Sequence, residues 1–299
     1  MHLDRTQIAI RQRGLLQTLD LALHVVRRFG GPLARCAAAV IVPLALWNEA
    51  LVGWMGRLAA EEERFPLGYL FSMAMLVYLE APLVGAVCVA YLGPAVFGED
   101  RPLRTVLGGL VRRSGAWLAV HGLLRGIVPA WLVLLATDRF AGLGPLGVLG
   151  LIMLGAWAGL VRSLRPYVNE ILLLEQVGLR SGRSGRLHQP VAGELLWEGM
   201  VLAVLGSVLG LSAVLVALLV WGVLLNDWPI VPLPDSEEFR WNLTGWKLHL
   251  VYPLSLWLVA VYLAVVRFLR YLDLRIRNEG WEVELRLRAE GRRLAAEPA

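Results

Sequence analysis

The chain has 299 residues, 57% hydrophobic and 18% charged, with a net charge of +5 and a mean hydropathy of +0.60. A soluble domain carries about 45–50% apolar and about 25% charged residues, so this balance excludes an ordinary water-soluble domain and points to a membrane. The basic charge comes from 28 arginines and one lysine that flank apolar segments, a pattern of membrane orientation and not of nucleic-acid binding.

Residues 1–32 are too polar for a cleaved signal peptide. Their "LLQTLDLALHVVRRFGGPLA" (15–34) reads as an amphipathic helix lying in the membrane interface. Six apolar segments follow, at 33–55, 66–97, 115–136, 143–161, 200–225 and 248–268. About 20 helical residues cross a hydrocarbon core, so each predicts one span of a transmembrane domain at 33–270. The second is long for one upright helix, and Pro82 in "YLEAPL" predicts a kink, because proline cannot donate to the carbonyl four residues back. Cys36 and Cys88 fall within or beside apolar segments and read as buried free thiols.

Counting basic residues sets the orientation. With both termini cytoplasmic, 23 Lys and Arg fall on the cytoplasmic side and five on the other. This predicts a protein of the inner (cytoplasmic) membrane of a bacterium, multi-pass, with both ends inside. Arg267 and Arg270 mark the headgroup level at the end of the sixth span.

An internal repeat is also predicted. "PLRTVLGGLVRRSGAWLA" (102–119) parallels 15–34, and "SGRLHQPVAGELLWEGMVLA" (184–203) is a looser third copy. The predicted fold is therefore an all-α polytopic membrane bundle of six transmembrane helices in three pseudo-repeated units, each an interfacial elbow helix followed by a hairpin.

Between the fourth and fifth spans, Val168–Leu174 is apolar with Asn169, Glu170 and Glu175 interleaved, and reads as a helix at the cytoplasmic interface. The basic "RSGRSGR" after it suits anionic headgroups. The link between the fifth and sixth spans, "NDWPIVPLPDSEEFRWNLTGWK", is too rich in proline for a helix. Its Trp228, Trp241 and Trp246 fit an aromatic belt at the outer surface. Residues 271–299 form a charged cytoplasmic tail, with the sixth helix running on to about Arg277 and a short amphipathic helix from Trp281.

Ionisable groups inside spans are costly, so each is a functional candidate. Asn48 and Glu49 lie in the first span, Glu80 in the second, and His121 and Arg125 share a face of the third. They predict an intramembrane polar cluster in which Glu49 or Glu80 pairs with Arg125; a structural ion pair is the plainer alternative. A second candidate is a cytoplasmic interaction surface of Glu170, Glu175, Asp273, Arg275, Arg277, Glu279, Glu282 and Glu284. Gly155 with Gly159, and Gly206 with Gly210, have small-residue spacing for helix packing inside one chain. No nucleophile, hydride, phosphate-loop or metal motif occurs, so no catalytic residue, cofactor or metal is predicted.

The tail "YLDLRIRNEGWEVEL" resembles the ending of bacterial polytopic proteins of the glycerophosphoryl diester phosphodiesterase membrane-domain family. The resemblance rests on Tyr271, Asp273 to Arg275, Arg277, Glu279, Gly280 and Glu282 to Leu285, with "APLVGAVCVAYLG" and "RPYVNEILLLE" resembling segments of its relatives. It implies the six-helix layout with elbows and a cytoplasmic tail. In fused members catalysis belongs to a separate soluble barrel whose His-Arg-Gly signature this sequence lacks, so the resemblance implies no catalytic residue.

Three readings follow, in order. The first is a non-enzymatic scaffold or accessory subunit in the lipid bilayer, engaging a cytoplasmic or membrane protein partner or anionic lipid headgroups at its cytoplasmic face, with no nucleic acid. The second is a transporter using Glu49, Glu80, His121 and Arg125. The third is an intramembrane lipid enzyme.

Overall fold

The computed structural model describes residues 12–99, 101–112, 115, 119–139, 144–175, 182–228, 230–232, 239–242, 245 and 247–279. The predicted helix after Trp281, with Glu282 and Glu284, lies outside them, as does Trp246.

The described chain is helical apart from one small ribbon. It contains α1 (Leu15–Glu61), α2 (Leu67–Val96), the short α3 (Leu103–Val111), a π-helical turn Ala119–Leu124, α4 (Ile127–Arg139) and α5 (Pro145–Leu164). A connector follows, with one α-turn Val168–Glu170 running into a π-turn Ile171–Glu175. Then come α6 (Arg183–His188), α7 (Ala192–Leu225) and, after a π-turn Lys247–Val251, α8 (Tyr252–Glu279). Strands β1 (Ile230–Pro232) and β2 (Phe239–Trp241) pair antiparallel, Ile230 opposite Trp241.

Among the described residues, five helical stretches are long and apolar enough to cross a membrane: Leu15–Glu61, Leu67–Val96, Pro145–Leu164, Arg183–Leu225 and Lys247–Asn278. Ile127–Thr137 is a shorter apolar helix.

α2 is the centre of the bundle. It packs against α1, α8, α5, α4 and the connector, and residues such as Val84, Cys88 and Leu92 are wholly buried. α7 is peripheral, held by α5 and α8, and leaves Val204, Val208, Leu211 and Leu215 exposed. An apolar face of that kind is stable against lipid and not against water. Both small-residue pairs work inside the chain. Gly155 faces Met75 and Gly159 faces the Tyr78 hydroxyl, seating α5 on α2; Gly206 and Gly210 face Leu263 and Leu256, seating α7 on α8.

Two expectations change, at the first span and at the third. The first elbow and first span are one 47-residue helix that passes through Pro32 and Pro43. Local propensity at Gly30, Gly31 and Pro32 favours a break, but Phe29, Leu33, Cys36 and Ala37 are buried along one face, and packing overrides propensity. The second span is one continuous helix through Pro82, as its reading as a single long span expects. The third span is not one helix. It breaks at Arg125–Gly126, where Gly126 takes φ +80°, a left-handed conformation that glycine adopts without steric cost.

At one end of the last of these stretches, Lys247 staples the end of α7 to the π-turn that leads into α8. Its buried ammonium donates to Asp227 Oδ1 at 2.6 Å and to the Asn242 carbonyl at 3.1 Å. Asn242 Nδ2 itself donates to Asp227 Oδ1 and to the Trp228 carbonyl, both at 3.0 Å.

Candidate functional site: a buried polar layer around the second helix

The sequence-predicted polar residues do not meet in one cluster. They divide into three groups around α1 and α2.

The first group lies between α1, α2 and α4. Glu80, wholly buried, accepts hydrogen bonds from Asn48 Nδ2 at 2.7 Å and from Trp131 Nε1 at 2.8 Å. Trp131 is held edge-on by Trp47, with ring centroids 5.7 Å apart. Glu80 forms no ion pair among the described residues, so the expected pairing with Arg125 is not made.

The second group lies near the turn between α1 and α2. Glu49 accepts from the Tyr69 hydroxyl at 3.2 Å. It also faces His249 Nδ1 at 2.8 Å and Arg57 at 3.6 Å. Glu49 is half-exposed and does not reach Arg125. One helical turn of α1 therefore sends Asn48 inward and Glu49 toward the loop, since adjacent helix residues point about 100° apart.

The third group was not legible as a group. The break in the third span lets the backbone turn, with Arg125 N–H donating five residues back to the Val120 carbonyl at 3.0 Å and Ala130 N–H restarting the helix on Gly126. His121 and Arg125 are both buried there. His121 Nε2 lies 2.6 Å from Asn169 Oδ1. Asn169 Nδ2 donates to the Pro82 carbonyl at 2.8 Å, so its Oδ1 faces the ring and His121 must carry its proton on Nε2.

The connector that supplies Asn169 is the largest surprise. It was expected along the cytoplasmic interface, yet Tyr167, Val168, Asn169, Glu170, Ile171 and Leu172 are buried. It packs against α2, where Gly93 has no side chain to obstruct Leu174 and Gly85 gives Arg267 and Asn169 room beside the helix. α6 pins its start: Tyr167 N–H faces His188 Nε2 at 3.4 Å and the two rings stack 5.6 Å apart.

Three arginines converge on this layer. Arg125 Nη2 donates to the Arg165 carbonyl at 3.0 Å and Arg162 Nη2 to the Leu79 carbonyl at 2.7 Å. The Arg162 guanidinium also lies over the Tyr78 ring, 4.3 Å from its centroid. Arg267 Nε lies 3.4 Å from Glu170 Oε1. The three guanidiniums and the His121 ring act on one another electrostatically.

The predicted cytoplasmic interaction surface is corrected in the same way. Glu170 and Asp273 are buried, and the described charges of 271–279 are drawn inward into pairs. Glu175 accepts a two-pronged bond from Arg183, at 2.6 and 3.0 Å, and a third from the Tyr271 hydroxyl at 2.8 Å. Arg275 lies 3.7 Å from the same carboxylate. Arg270, expected at headgroup level, is buried and bridges Glu198 with Asp273. Arg277 bridges Glu194 and Asp273. The side chain of Glu279 lies outside the described residues. Charges leaving a helix end beside carboxylates on two neighbouring helices are cheaper paired than presented separately to a thin interfacial layer.

Cys36 and Cys88 are buried free thiols, and no group of His, Cys, Asp or Glu among the described residues is arranged to hold a metal ion. Comparison of the chain with protein-family models, curated proteins and solved structures gives no match.

Two consequences are measurable. Asn169→Leu leaves the His121 Nε2–H and the Pro82 carbonyl without their partner, at about 1–3 kcal/mol for each unsatisfied group. The apparent Tm in detergent is expected to fall by several degrees, while Ser207→Ala, on an exposed face, leaves it unchanged. The second concerns acid. Burial pushes the Glu175 carboxyl up, but hydrogen bonds from Arg183 and Tyr271 and the charges of Arg183 and Arg275 outweigh it and hold it below the usual carboxylate value. A depressed folded value means the stabilisation is complete above the ordinary carboxylate pKa and is lost as pH falls through the folded one. Glu175→Gln is therefore expected to lower the Tm at neutral pH and to flatten its decline in acid, as thermal scans across pH will read.

Proposed function

We propose that this chain is a multi-pass membrane carrier of the inner membrane, with six crossings, both termini cytoplasmic, and its working site in the polar layer around α2. The observation that carries the reading is the broken third crossing. Non-helical backbone at membrane depth is tolerated only where protein buries it or where it lines a cavity, and interrupted helices with polar side chains at the break mark solute sites in secondary carriers. Here the break brings His121 and Arg125 against a connector that itself enters the bundle. Two of the three π-turns flank this contact, and such turns concentrate where a helix is shaped for function.

The sixth crossing in this reading is the π-turn with α4, too short alone but long enough when joined. The excess of arginine on one side supports the orientation. The elbow-and-hairpin repeat is supported by α3 before the broken crossing and by α6 before α7. Kinship with the glycerophosphoryl diester phosphodiesterase membrane-domain family stays a proposal resting on the tail residues and the layout. The scaffold reading loses ground because Glu175, Asp273, Arg275 and Arg277 are spent on one another and on Arg183, Arg270 and Glu194.

The test is flux. Purified chain in proteoliposomes, on solid-supported membranes, is expected to give transient currents on concentration jumps of small anions. Arg125→Gln and Glu80→Gln should each lower the current at least tenfold, while Arg101→Gln, on the exposed surface, should not. Reporter fusions at residue 299 should read cytoplasmic. Absence of current for every anion tried, with correctly oriented protein, overturns the carrier reading.

A further inference from the structure

We infer that the guanidiniums of Arg125, Arg162 and Arg267 form a binding site for a tetrahedral oxyanion of the phosphate type, approached beside Gly85 of α2. The inference deepens the carrier reading by naming its substrate class, and rests on that reading for movement of the anion, though not for its binding.

Charge is the first argument. Three guanidiniums, at the end of the π-turn before α4, on α5 and on α8, act on one another electrostatically around Asn169 and Gly85, and among the described residues one carboxylate, Glu170, faces them. Arg125 and Arg162 form no ion pair among the described residues. Three positive charges against one negative leave two in excess. Charges removed from water are normally paired or set against a ligand, and two matches a doubly charged phosphate better than a single carboxylate.

Unused donors are the second argument. A guanidinium has five N–H groups in a rigid fork. Arg125 and Arg267 each spend one arm on the protein, on the Arg165 carbonyl and on Glu170, and Arg162 is held by the Leu79 carbonyl and the Tyr78 side chain; those contacts fix their aim. Arg125 Nε, Arg162 Nε and Arg267 Nη2 are buried without a hydrogen-bond partner. Forks held in this way with further donors pointing inward suit bidentate capture of an oxyanion.

The surroundings agree. A side chain at position 85 would run into Arg267 Nη2 and lie 3.5 Å from Asn169 Nδ2. Glycine thus lets a guanidinium and an amide donor lie side by side against α2. Tyr78 covers Arg162 with its ring face, holding the plane of that guanidinium while leaving its edge for a ligand. A structural role alone accounts for the carbonyl contacts but not for two excess charges converging on one place.

The phosphate group has two possible sources, free phosphate in the cytoplasm or a phospholipid headgroup, and the experiment separates them. The full chain, purified in detergent and depleted of lipid, is titrated with inorganic phosphate by calorimetry; parallel samples in nanodiscs with and without phosphatidylglycerol are read by native mass spectrometry. The expected result is one phosphate per chain, with chloride unable to compete. Arg125→Lys and Arg162→Lys keep the charge but lose the fork, and should weaken binding at least tenfold. Gly85→Ala should weaken it as well. Tm measured on each variant shows that it is folded. Retained phospholipid that displaces phosphate, and is lost in the same variants, identifies a headgroup as the source. Phosphate binding without current leaves this inference standing and removes the carrier; current for another solute without phosphate binding does the reverse. A folded wild-type chain that takes neither phosphate nor phospholipid, or folded Arg125→Lys, Arg162→Lys and Gly85→Ala chains with unchanged affinity, overturns it.

Discussion

Two hydrogen bonds from one amide hold the interior of this protein together. Asn169 accepts from His121 on the π-turn before α4 and donates to the Pro82 carbonyl on α2. Hydrocarbon supplies no water to satisfy a backbone group, so a bundle that contains a chain break and a buried connector must supply every partner itself. Arg162 makes the companion contact, reaching the Leu79 carbonyl on the same helix. With the connector withdrawn, the His121 proton, the Pro82 carbonyl and the Arg267 guanidinium would lose their partners. The rest of the layer therefore depends on this segment staying inside.

The layer divides by charge across α2. On the side of α1 and α4, Glu80 is held by neutral donors. On the side of α5, α8 and the connector, cations outnumber the one carboxylate that faces them. Helical geometry explains how one helix serves both, because Leu79 and Glu80 are adjacent and point about 100° apart. An acid on one face and guanidiniums on the other is a costly arrangement in a bilayer. In the function proposed above, that cost is tied to handling an anion. Further toward the chain end, Glu194, Glu198, Arg270, Asp273 and Arg277 close on one another and stitch α7 to α8, while Glu175 closes on Arg183 and Arg275 and ties the connector to α6 and α8.

Much of the helical layout was legible in the sequence because length and hydropathy are sufficient signals for a helix surrounded by lipid. The extension of the sixth helix to Arg277 was legible for a related reason: strong helix formers continued an existing helix, which needs no new nucleation. The continuity of α1 was not, since Gly30, Gly31 and Pro32 are each poor helix formers and only contacts made elsewhere in the fold keep them helical. Of the candidate site, Asn48, Glu80, His121 and Arg125 were identified as buried polar residues, but their partners were not. Opposite charge favours Glu80 with Arg125, whereas the fold satisfies Glu80 with Asn48 and the indole of Trp131. Asn169 and Glu170 carried a readable signal, two polar residues inside an apolar run, and were misplaced because a basic loop follows them. Arg162 and Arg267 sit at span ends, where arginine ordinarily serves orientation, and nothing local distinguishes one that turns inward.

The placement of the connector can be measured directly. Hydrogen–deuterium exchange on the full chain in lipid nanodiscs reports the opening of each amide. The account predicts that amides from Val168 to Leu172 exchange as slowly as those of α2 around Val84 to Cys88, and that Asn169→Leu speeds them while leaving α1 protected. Exchange of 168–172 at the rate of an exposed interfacial loop, with α2 still protected, would contradict it.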